Sequence, residues 1–291
     1  MIASNLKNLY VCTPAAPYNP DYLEKALARL KALGFNPTLS KHAMDRMGNV
    51  SANIEDRVAD LHEGFSNPAY DMIMSSRGGW NSNELLPYLD YELIRKNPKP
   101  FMGFSDPSTL VTTLYQKSGT PTYYGTVMSW IYFDPEDADY APTLDVLADP
   151  KAFKGFYKAG HAEQDVYRHG SMSGPMVGGC ISILCCMLGT PYAMKVPDGA
   201  ILFLEDDEEP SGYIWQQRLM QMKQASYFDK ISGLVMGKTL PETKFVEGSG
   251  LKEILDAVIG EYKFPVLLNA DFGHASNPLA IPYGLEYSIQ V

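Results

Sequence analysis

Short apolar runs alternate with amphipathic stretches through the first third of the chain. Asn19-Pro20 predicts the start of one helix, Gly34 its end, and Ser51 the N-cap of a second helix. A third helix is predicted over NELLPYLDYELI, and strands are predicted over LYVC, YDMIMSS and PKPFMGF. This alternation is typical of a mostly parallel sheet with helices on its faces.

A connecting segment is predicted at 136–172, where Asp, Pro, Lys and Gly are frequent and periodicity is weak. After it, short apolar runs again alternate with amphipathic stretches. An apolar helix is predicted at 177–188. Strands AILFLE, GLVMG and PVLLN then alternate with helices IWQQRLMQMKQA and LKEILDAVIGEY. The pattern therefore predicts an α/β protein with two domains, an N-terminal domain over 1–135 and a smaller C-terminal domain over 173–291.

Composition narrows the class of partner. The 291 residues are 45% hydrophobic and 20% charged, and they carry a formal net charge of −10 without a Lys/Arg run. Neither a nucleic acid nor an anionic membrane is expected to bind such a surface. The first residues lack the apolar core of a signal peptide, so a cytoplasmic protein is expected. Three of the four cysteines lie in the apolar run GGCISILCCMLG, which favours reduced thiols. CxxC pairs with histidines nearby are absent, so no zinc site is predicted, and no cofactor is expected.

Ser105 lies in PFMGFSDPS, where a predicted strand runs into a helix. Asp106 is a good N-cap and Pro107 suits the first helical position, which places Ser105 on the turn between strand and helix. The free N–H groups of the helix start could receive the oxyanion that forms when a serine attacks a carbonyl. Ser105 is thus either a nucleophile or a residue that shapes the turn.

His274 and Glu205 each follow or end a predicted strand. His274 stands in NADFGH, and the other four histidines lie in polar or helical contexts. Glu205 ends AILFLE, where a carboxylate could hold an imidazole in the tautomer that a catalytic base requires. The carboxylates that follow, at 206–209, are interpreted as a solvated charge run. A metal hydrolase that uses this acidic cluster stays open as an alternative, although the spacing of an EF-hand is absent.

Gly78 and Gly79 form a flexible turn after the strand YDMIMSS. Glycine allows the backbone to approach a substrate closely, so an N–H of Gly78 or Gly79 could complete an oxyanion hole with the N–H of Asp106. A tight turn alone explains the two glycines equally well. Trp80 and Asn81, which follow them, are candidate substrate contacts.

Four segments, SSRGGWNSNELLPYLDYELI, NPKPFMGFSDPSTL, AILFLED and NADFGH, resemble the S66 serine peptidases, the LD-carboxypeptidase family, in order and spacing. This resemblance implies a Ser105, His274 and Glu205 triad, a flavodoxin-like N-terminal domain, a homodimer and no metal. Pro107, where the family often has an aliphatic residue, and a compact connecting segment depart from the family pattern.

The family has two branches with different substrates. One releases the terminal D-alanine from muropeptides during peptidoglycan recycling, and the other is the microcin C immunity type, which cleaves the amide between a peptide or amino acid and a nucleotide-like toxin. Asn-Ser-Asn after Gly-Gly-Trp and Asn-Ala-Asp before Phe-Gly-His look more like the immunity branch. A peptide or peptidyl-nucleotide is therefore the expected substrate. The alternative of another class is a non-catalytic, two-domain protein that binds a small ligand.

Overall fold

The computed structural model describes residues 6–125, 127–135, 138–157, 160–206, 211–247, 249–276 and 279–291. Its strands are β1 (Asn8–Cys12), β2 (Asn36–Leu39), β3 (Met72–Ser75), β4 (Phe101–Gly103), β5 (Thr122–Tyr124), β6 (Val166–Arg168), β7 (Ser171–Cys180), β8 (Ala200–Glu205), β9 (Ile231–Gly237), β10 (Val266–Ala270), β11 (Ile281–Pro282) and β12 (Glu286–Gln290). Its α-helices are α1 (Leu23–Ala32), α2 (Ile54–Ser66), α3 (Tyr91–Lys96), α4 (Ser108–Ser118), α5 (Met128–Phe133), α6 (Ala141–Ala148), α7 (Ile181–Cys186), α8 (Gly212–Gln224) and α9 (Leu251–Ile259).

The chain forms two compact units, and the first contains Met1–Phe153 together with Pro278–Tyr283. Its sheet has the order β11-β5-β4-β3-β1-β2, parallel throughout except that β11 pairs antiparallel with β5. The order β2-β1-β3-β4-β5 is that of flavodoxin, in which ligands bind beyond the carboxyl ends of the strands. Strands β3 and β4 are buried at every position, as expected for strands covered on both faces.

The second unit contains Lys154–Asn277 and Gly284–Val291. Its sheet has the order β12-β7-β8-β9-β10-β6, with parallel pairs from β7 to β10 and antiparallel strands at both edges. Every residue of β8 is buried. The prediction of two α/β domains with mostly parallel sheets is confirmed, and the flavodoxin order is found in the first unit.

The last 14 residues divide between the two units, which no local pattern indicated. Residues 281–282 add an edge strand to the first sheet, and 286–290 add an edge strand to the second. Both pairings are antiparallel, and their partners lie more than 100 positions earlier in the sequence.

Local predictions were wrong at residues 177–180, 82–90 and 51–53. The helix predicted at 177–188 is a strand as far as Cys180, because the run GPMVGGC inserts between β8 and β12. The helix over NELLPYLDYELI is two helices, a 3₁₀ turn at Ser82–Tyr88 and α3, with extended backbone at Leu89 and Asp90. A short apolar run fits a buried strand and a buried helix equally well, so the periodicity could not separate them.

The third error concerns a helix cap. Asn53, and not Ser51, caps α2, and its side chain accepts a hydrogen bond from the N–H of Asp56. The hydroxyl of Ser51 donates instead to the carbonyl of Thr13.

Among the described helices, none combines the length and the hydropathy that a transmembrane span requires. Cys12, Cys180 and Cys185 are buried, as expected for small apolar residues, whereas Cys186 is exposed.

Candidate active site

Three loops meet at the carboxyl edge of the first sheet, after the neighbouring strands β1, β3 and β4. Gly78 touches Ser105, and a Cβ at Gly78 would lie 2.7 Å from Ser105 Cβ and 3.1 Å from its Oγ. Gly79 instead packs on the loop after β1, where a Cβ would lie 2.2 Å from Ala16 Cβ. The glycine pair therefore allows two close approaches, and only the one at Gly78 is to Ser105.

Ser105 occupies a strained turn. Its φ is +63°, in the left-handed region that non-glycine residues rarely adopt, at a cost of about 1–3 kcal/mol. The surroundings hold this conformation, because the N–H of Ser105 donates to the Tyr124 hydroxyl at 3.3 Å and the Ser108 hydroxyl donates to the Ser105 carbonyl at 2.6 Å. A sharp strand–turn–helix of this kind presents a serine hydroxyl at the edge of the sheet, as the nucleophile elbow of α/β-hydrolases does.

Asp106 does not cap α4, contrary to the prediction. Pro107 is the capping residue and makes no side-chain cap, while the Asp106 carboxylate accepts a hydrogen bond from the N–H of Ser82 at 2.9 Å. Asp106 is 4% exposed. Burial raises the pKa of its carboxyl to about 6, against hydrogen bonds from Ser82 that lower it.

Donors for an oxyanion are available beside Ser105. The N–H groups of Gly78, Gly79 and Asp106 donate no hydrogen bond to any acceptor within the described part of the chain. The indole of Trp80 is 64% exposed next to them, and Asn81 adopts a left-handed φ of +75°. An unused N–H beside a serine is the arrangement that an oxyanion hole requires.

In the second unit, Glu205 and His274 lie at or just beyond the carboxyl ends of two parallel strands, β8 and β10. Glu205 is the last residue of β8, and His274 follows β10, with β9 between the two strands. Glu205 Oε2 accepts from His274 Nδ1 at 2.7 Å and from the His274 backbone N–H at 3.0 Å. The Glu205 side chain is fully buried and that of His274 is 8% exposed. Because the carboxylate accepts at Nδ1, the proton of a neutral His274 ring lies on Nδ1 and Nε2 is left as the basic nitrogen.

The loop that carries His274 is held on several sides. The Asn269 amide donates to Asp165 at 2.9 Å, and the N–H of Asp271 donates to the Phe156 carbonyl at 2.7 Å. The Asp271 carboxylate also forms an ion pair with Lys238. The motif Asn-Ala-Asp before Phe-Gly-His therefore anchors the loop on which His274 sits.

Two glycines make room for the buried carboxylate. A Cβ at Gly237 would lie 3.0 Å from Glu205 Cβ, and one at Gly273 would lie 2.7 Å from Glu205 Cβ and 2.9 Å from Oε2. Gly273 also has a φ of +97°. The glycine before His274 is thus required both for its conformation and for the space that Glu205 fills.

We expect Gly273→Ala to lower kcat about 10–100-fold, because the new methyl group pushes Glu205 Oε2 away from His274. We also expect it to destabilise the fold by about 1–3 kcal/mol. Steady-state turnover measures the change in kcat, and urea unfolding measures the change in the free energy of unfolding. Gly199→Ala is the matched control, since Gly199 has a φ of +78° and a Cβ there meets no atom within 4 Å. An equal loss of turnover in both variants would contradict the steric argument.

Comparison with known proteins identifies the chain. Models of the LD-carboxypeptidase N-terminal and C-terminal domains match residues 9–125 and 173–289. A Bacillus subtilis relative, named "Probable murein peptide carboxypeptidase", is 30% identical over 281 residues, which cover 95% of this chain and 86% of the relative. The chain belongs to the LD-carboxypeptidase family, S66. Members of this serine peptidase family are named carboxypeptidases, and the chain is accordingly a serine-type carboxypeptidase.

Other members of the LD-carboxypeptidase family carry a different name. The microcin C7 self-immunity protein MccF of Escherichia coli is 29% identical over 277 residues, covering 82% of this chain and 76% of MccF. The crystal structure of an MccF-like protein from Bacillus anthracis matches with a TM-score of 0.87 and 28% identity, over 100% of this chain and 95% of that one. MccF in complex with aspartyl sulfamoyl adenosine matches with a TM-score of 0.84 and 25% identity, over 100% and 96%.

Of the four carboxylates that follow Glu205, the structure describes only Asp206. Asp206 is 6% exposed and pairs with Arg218 at 2.5 Å, so its assignment to a solvated charge run was wrong. Asp207, Glu208 and Glu209 lie outside the described residues. Elsewhere in the described ranges, no three His, Cys, Asp or Glu side chains group as metal ligands would.

Three residues around the Ser105 turn of this carboxypeptidase were not predicted from the sequence: Ser82, Tyr124 and Arg57. Arg57 is buried in α2 and donates to the carbonyls of Pro14 and Asn81. The sequence did indicate a buried Arg57, because this residue precedes the buried Leu61 and Phe65 by four and eight positions. This spacing puts a charged residue on the apolar face of α2. Ser82 and Tyr124 gave no local signal.

Proposed function

We propose that this carboxypeptidase hydrolyses an amide through an acyl-enzyme on Ser105, with His274 as the base and Glu205 as the group that orients it. The observation that carries this proposal is the Glu205–His274 pair, in which the fully buried Glu205 carboxylate accepts both from the imidazole of His274 and from the backbone N–H of His274. A buried carboxylate bonded to Nδ1 is what holds a catalytic histidine in place and stabilises the imidazolium.

The reaction follows the general acyl-transfer scheme. His274 Nε2 takes the proton of Ser105 as Oγ attacks the scissile carbonyl, and the N–H groups of Asp106 and Gly78 hold the oxyanion. His274 then returns the proton to the leaving nitrogen as the amide bond breaks. A water molecule, deprotonated by His274, attacks the acyl carbon and releases Ser105.

We assign Gly78 rather than Gly79 to the oxyanion hole. Gly78 is the glycine in contact with Ser105, while Gly79 packs against Ala16. The N–H of Asp106, the residue after Ser105, is the second donor, as in other hydrolases with a serine on a strand-to-helix turn.

For the substrate, we propose an amino acid or peptide joined by an amide-type bond to a nucleotide-like group. The likeness to MccF, which has been crystallised with aspartyl sulfamoyl adenosine, supports this choice. The exposed Trp80 offers an aromatic face on which a nucleobase could stack. The alternative is a muropeptide that ends in D-alanine, supported by the murein peptide carboxypeptidase relative.

Mass spectrometry of the products separates these substrates. Wild type and Ser105→Ala are incubated separately with aspartyl sulfamoyl adenosine and with an L,D-muropeptide tetrapeptide. Release of sulfamoyl adenosine by wild type alone is the expected result, and release of D-alanine alone would assign the protein to peptidoglycan recycling. Tight binding of either compound without any product would support a non-catalytic binding protein instead.

We further propose that the enzyme is a cytoplasmic homodimer. Sedimentation of the purified protein tests the oligomeric state, and cell fractionation tests the location.

A further inference from the structure

We propose that Asp106 and Ser82 form a clamp that holds the two oxyanion donors, the N–H groups of Asp106 and Gly78, at a fixed separation beside Ser105. In this role the Asp106 side chain is a positioning residue, and it acts through its bonds to Ser82. The inference rests on the proposed role of Ser105 and adds a function for a carboxylate that the reaction scheme leaves unused.

The clamp consists of two hydrogen bonds that Ser82 donates to Asp106, and these bonds join two turns. The N–H of Ser82 donates to Asp106 Oδ2 at 2.9 Å, and the Ser82 hydroxyl donates to the Asp106 carbonyl at 3.0 Å. The Ser82 hydroxyl is also 2.7 Å from the Thr109 hydroxyl in α4. Ser82 is fully buried and Asp106 is 4% exposed, so water does not compete for these bonds.

The bonds between Ser82 and Asp106 lie close in sequence to both proposed oxyanion donors. Ser82 ends the loop that begins at Gly78, and Asp106 is the residue after Ser105. The loop and the turn therefore join at two points, the contact of Gly78 with Ser105 and the bonds of Ser82 with Asp106. A loop fixed at both ends keeps its N–H groups where an oxyanion will form.

Arg57 fixes the same loop from the opposite side. Its guanidinium, 1% exposed, donates to the carbonyls of Pro14 at 3.0 Å and Asn81 at 3.2 Å, and it pairs with Glu84 at 2.6 Å. Asn81 precedes Ser82, so the carbonyl of one residue and the N–H of the next are both held by buried charged groups. The Asn81–Ser82 peptide is thereby restrained on both of its polar atoms.

A clamp of this kind affects the transition state more than substrate binding. The oxyanion forms only as Ser105 attacks, so misplaced donors slow the chemical step and leave ground-state contacts intact. A misplacement of about 1 Å typically costs about 100-fold in rate. Loss of the clamp should therefore lower kcat with little change in KM.

The test compares Asp106→Ala with Asp106→Asn, whose side-chain oxygen can still accept from the Ser82 N–H. Asp60→Ala is the matched control, since Asp60 is a buried carboxylate of the same unit that accepts from the Ser40 hydroxyl at 2.6 Å and the His42 N–H at 3.1 Å. Asp60 has no place in the proposed reaction. Two readouts are used: kcat and KM for aspartyl sulfamoyl adenosine, and the rate at which a fluorophosphonate labels Ser105. Labelling forms the Oγ–P bond and expels fluoride, and it uses the same oxyanion donors whatever the natural substrate is.

We expect Asp106→Ala to lower kcat and the labelling rate about 30–300-fold with KM within about threefold of wild type, and Asp106→Asn to restore both rates to within about fivefold. Asp60→Ala should lose comparable thermal stability and keep both rates. Equal rates in the folded Asp106→Ala and Asp60→Ala enzymes would overturn the clamp.

Ser82→Ala provides an independent test if Asp106→Ala does not fold. It removes the bonds from the Ser82 hydroxyl and keeps the N–H that Asp106 accepts, so a labelling rate about tenfold below wild type is expected. A wild-type rate for this variant would refute the clamp. Failure of wild type to label at Ser105 would instead refute the proposed nucleophile, and labelling without cleavage of aspartyl sulfamoyl adenosine would refute only the proposed substrate.

Discussion

Ser105→Ala should lower kcat by about 10⁴–10⁶, the loss expected when a serine hydrolase keeps its binding site and loses its nucleophile. In the proposed reaction Oγ forms the bond to the acyl group, and it lies beside Gly78, 3.1 Å from where a Cβ at Gly78 would stand. Substrate affinity should change little, because the change removes one oxygen atom. Product analysis measures turnover, calorimetry measures affinity, and fluorophosphonate labelling reports the loss of Oγ directly.

Ser105→Gly separates the chemistry of the serine from its backbone strain. Alanine keeps the strain of a φ of +63°, whereas glycine adopts this φ without cost. Both variants should be inactive. The free energy of unfolding of Ser105→Gly should be about 1 kcal/mol higher than that of Ser105→Ala. Residual turnover in either variant above a few ten-thousandths of wild type would assign the nucleophile to another residue.

Glu205→Gln should lower kcat by about 10²–10⁴ with the fold intact, the second largest effect that we predict. Glutamine has the shape of glutamate, so it fits the space left by Gly237 and Gly273. Its amide can donate to the Nδ1 of His274 and thereby place the ring proton on Nε2, the nitrogen that accepts the Ser105 proton in the proposed reaction. The loss should fall on kcat more than on KM, since the imidazolium forms only during the reaction.

Glu163→Gln is the matched control for the Glu205 variant. Glu163 pairs with His169 at 3.0 Å in the same unit, but both side chains are largely exposed, so the pair contributes little. Steady-state kinetics of the two variants, together with far-UV circular dichroism, distinguish a catalytic carboxylate from a structural one. An unchanged rate in Glu205→Gln would remove Glu205 from the proposed triad.

Local patterns in the sequence were enough to predict the fold class. Strands such as AILFLE and helices such as that over 23–32 are long enough, and regular enough, for their period to be read without knowledge of their neighbours. The same reading put Ser105, Glu205 and His274 at or just beyond strand ends, where α/β sheets build sites. Family resemblance then supplied the roles that composition and spacing had left open.

Predictions from the sequence were wrong or missing where the secondary structure or the hydrogen bonds of a residue depend on a partner far away in the sequence. The run before Cys180 is a strand because β8 and β12 flank it, and Asp106 turns away from its helix because Ser82, 24 positions earlier, offers an N–H. Propensity describes a residue and its near neighbours, so it favoured the helix and the cap in these two places.

By itself, the sequence of this protein determined where most of the strands and helices form and that Ser105, Glu205 and His274 stand at or near strand ends, because periodicity and turn chemistry act over a few residues. Only the tertiary structure decided that Glu205 and His274, 69 positions apart, share a hydrogen bond, that Gly78 lies on Ser105, and that residues 281–282 join the first sheet. These outcomes depend on how the strands are ordered in each sheet. That order follows from the burial of all the apolar faces together, which no short stretch of sequence specifies.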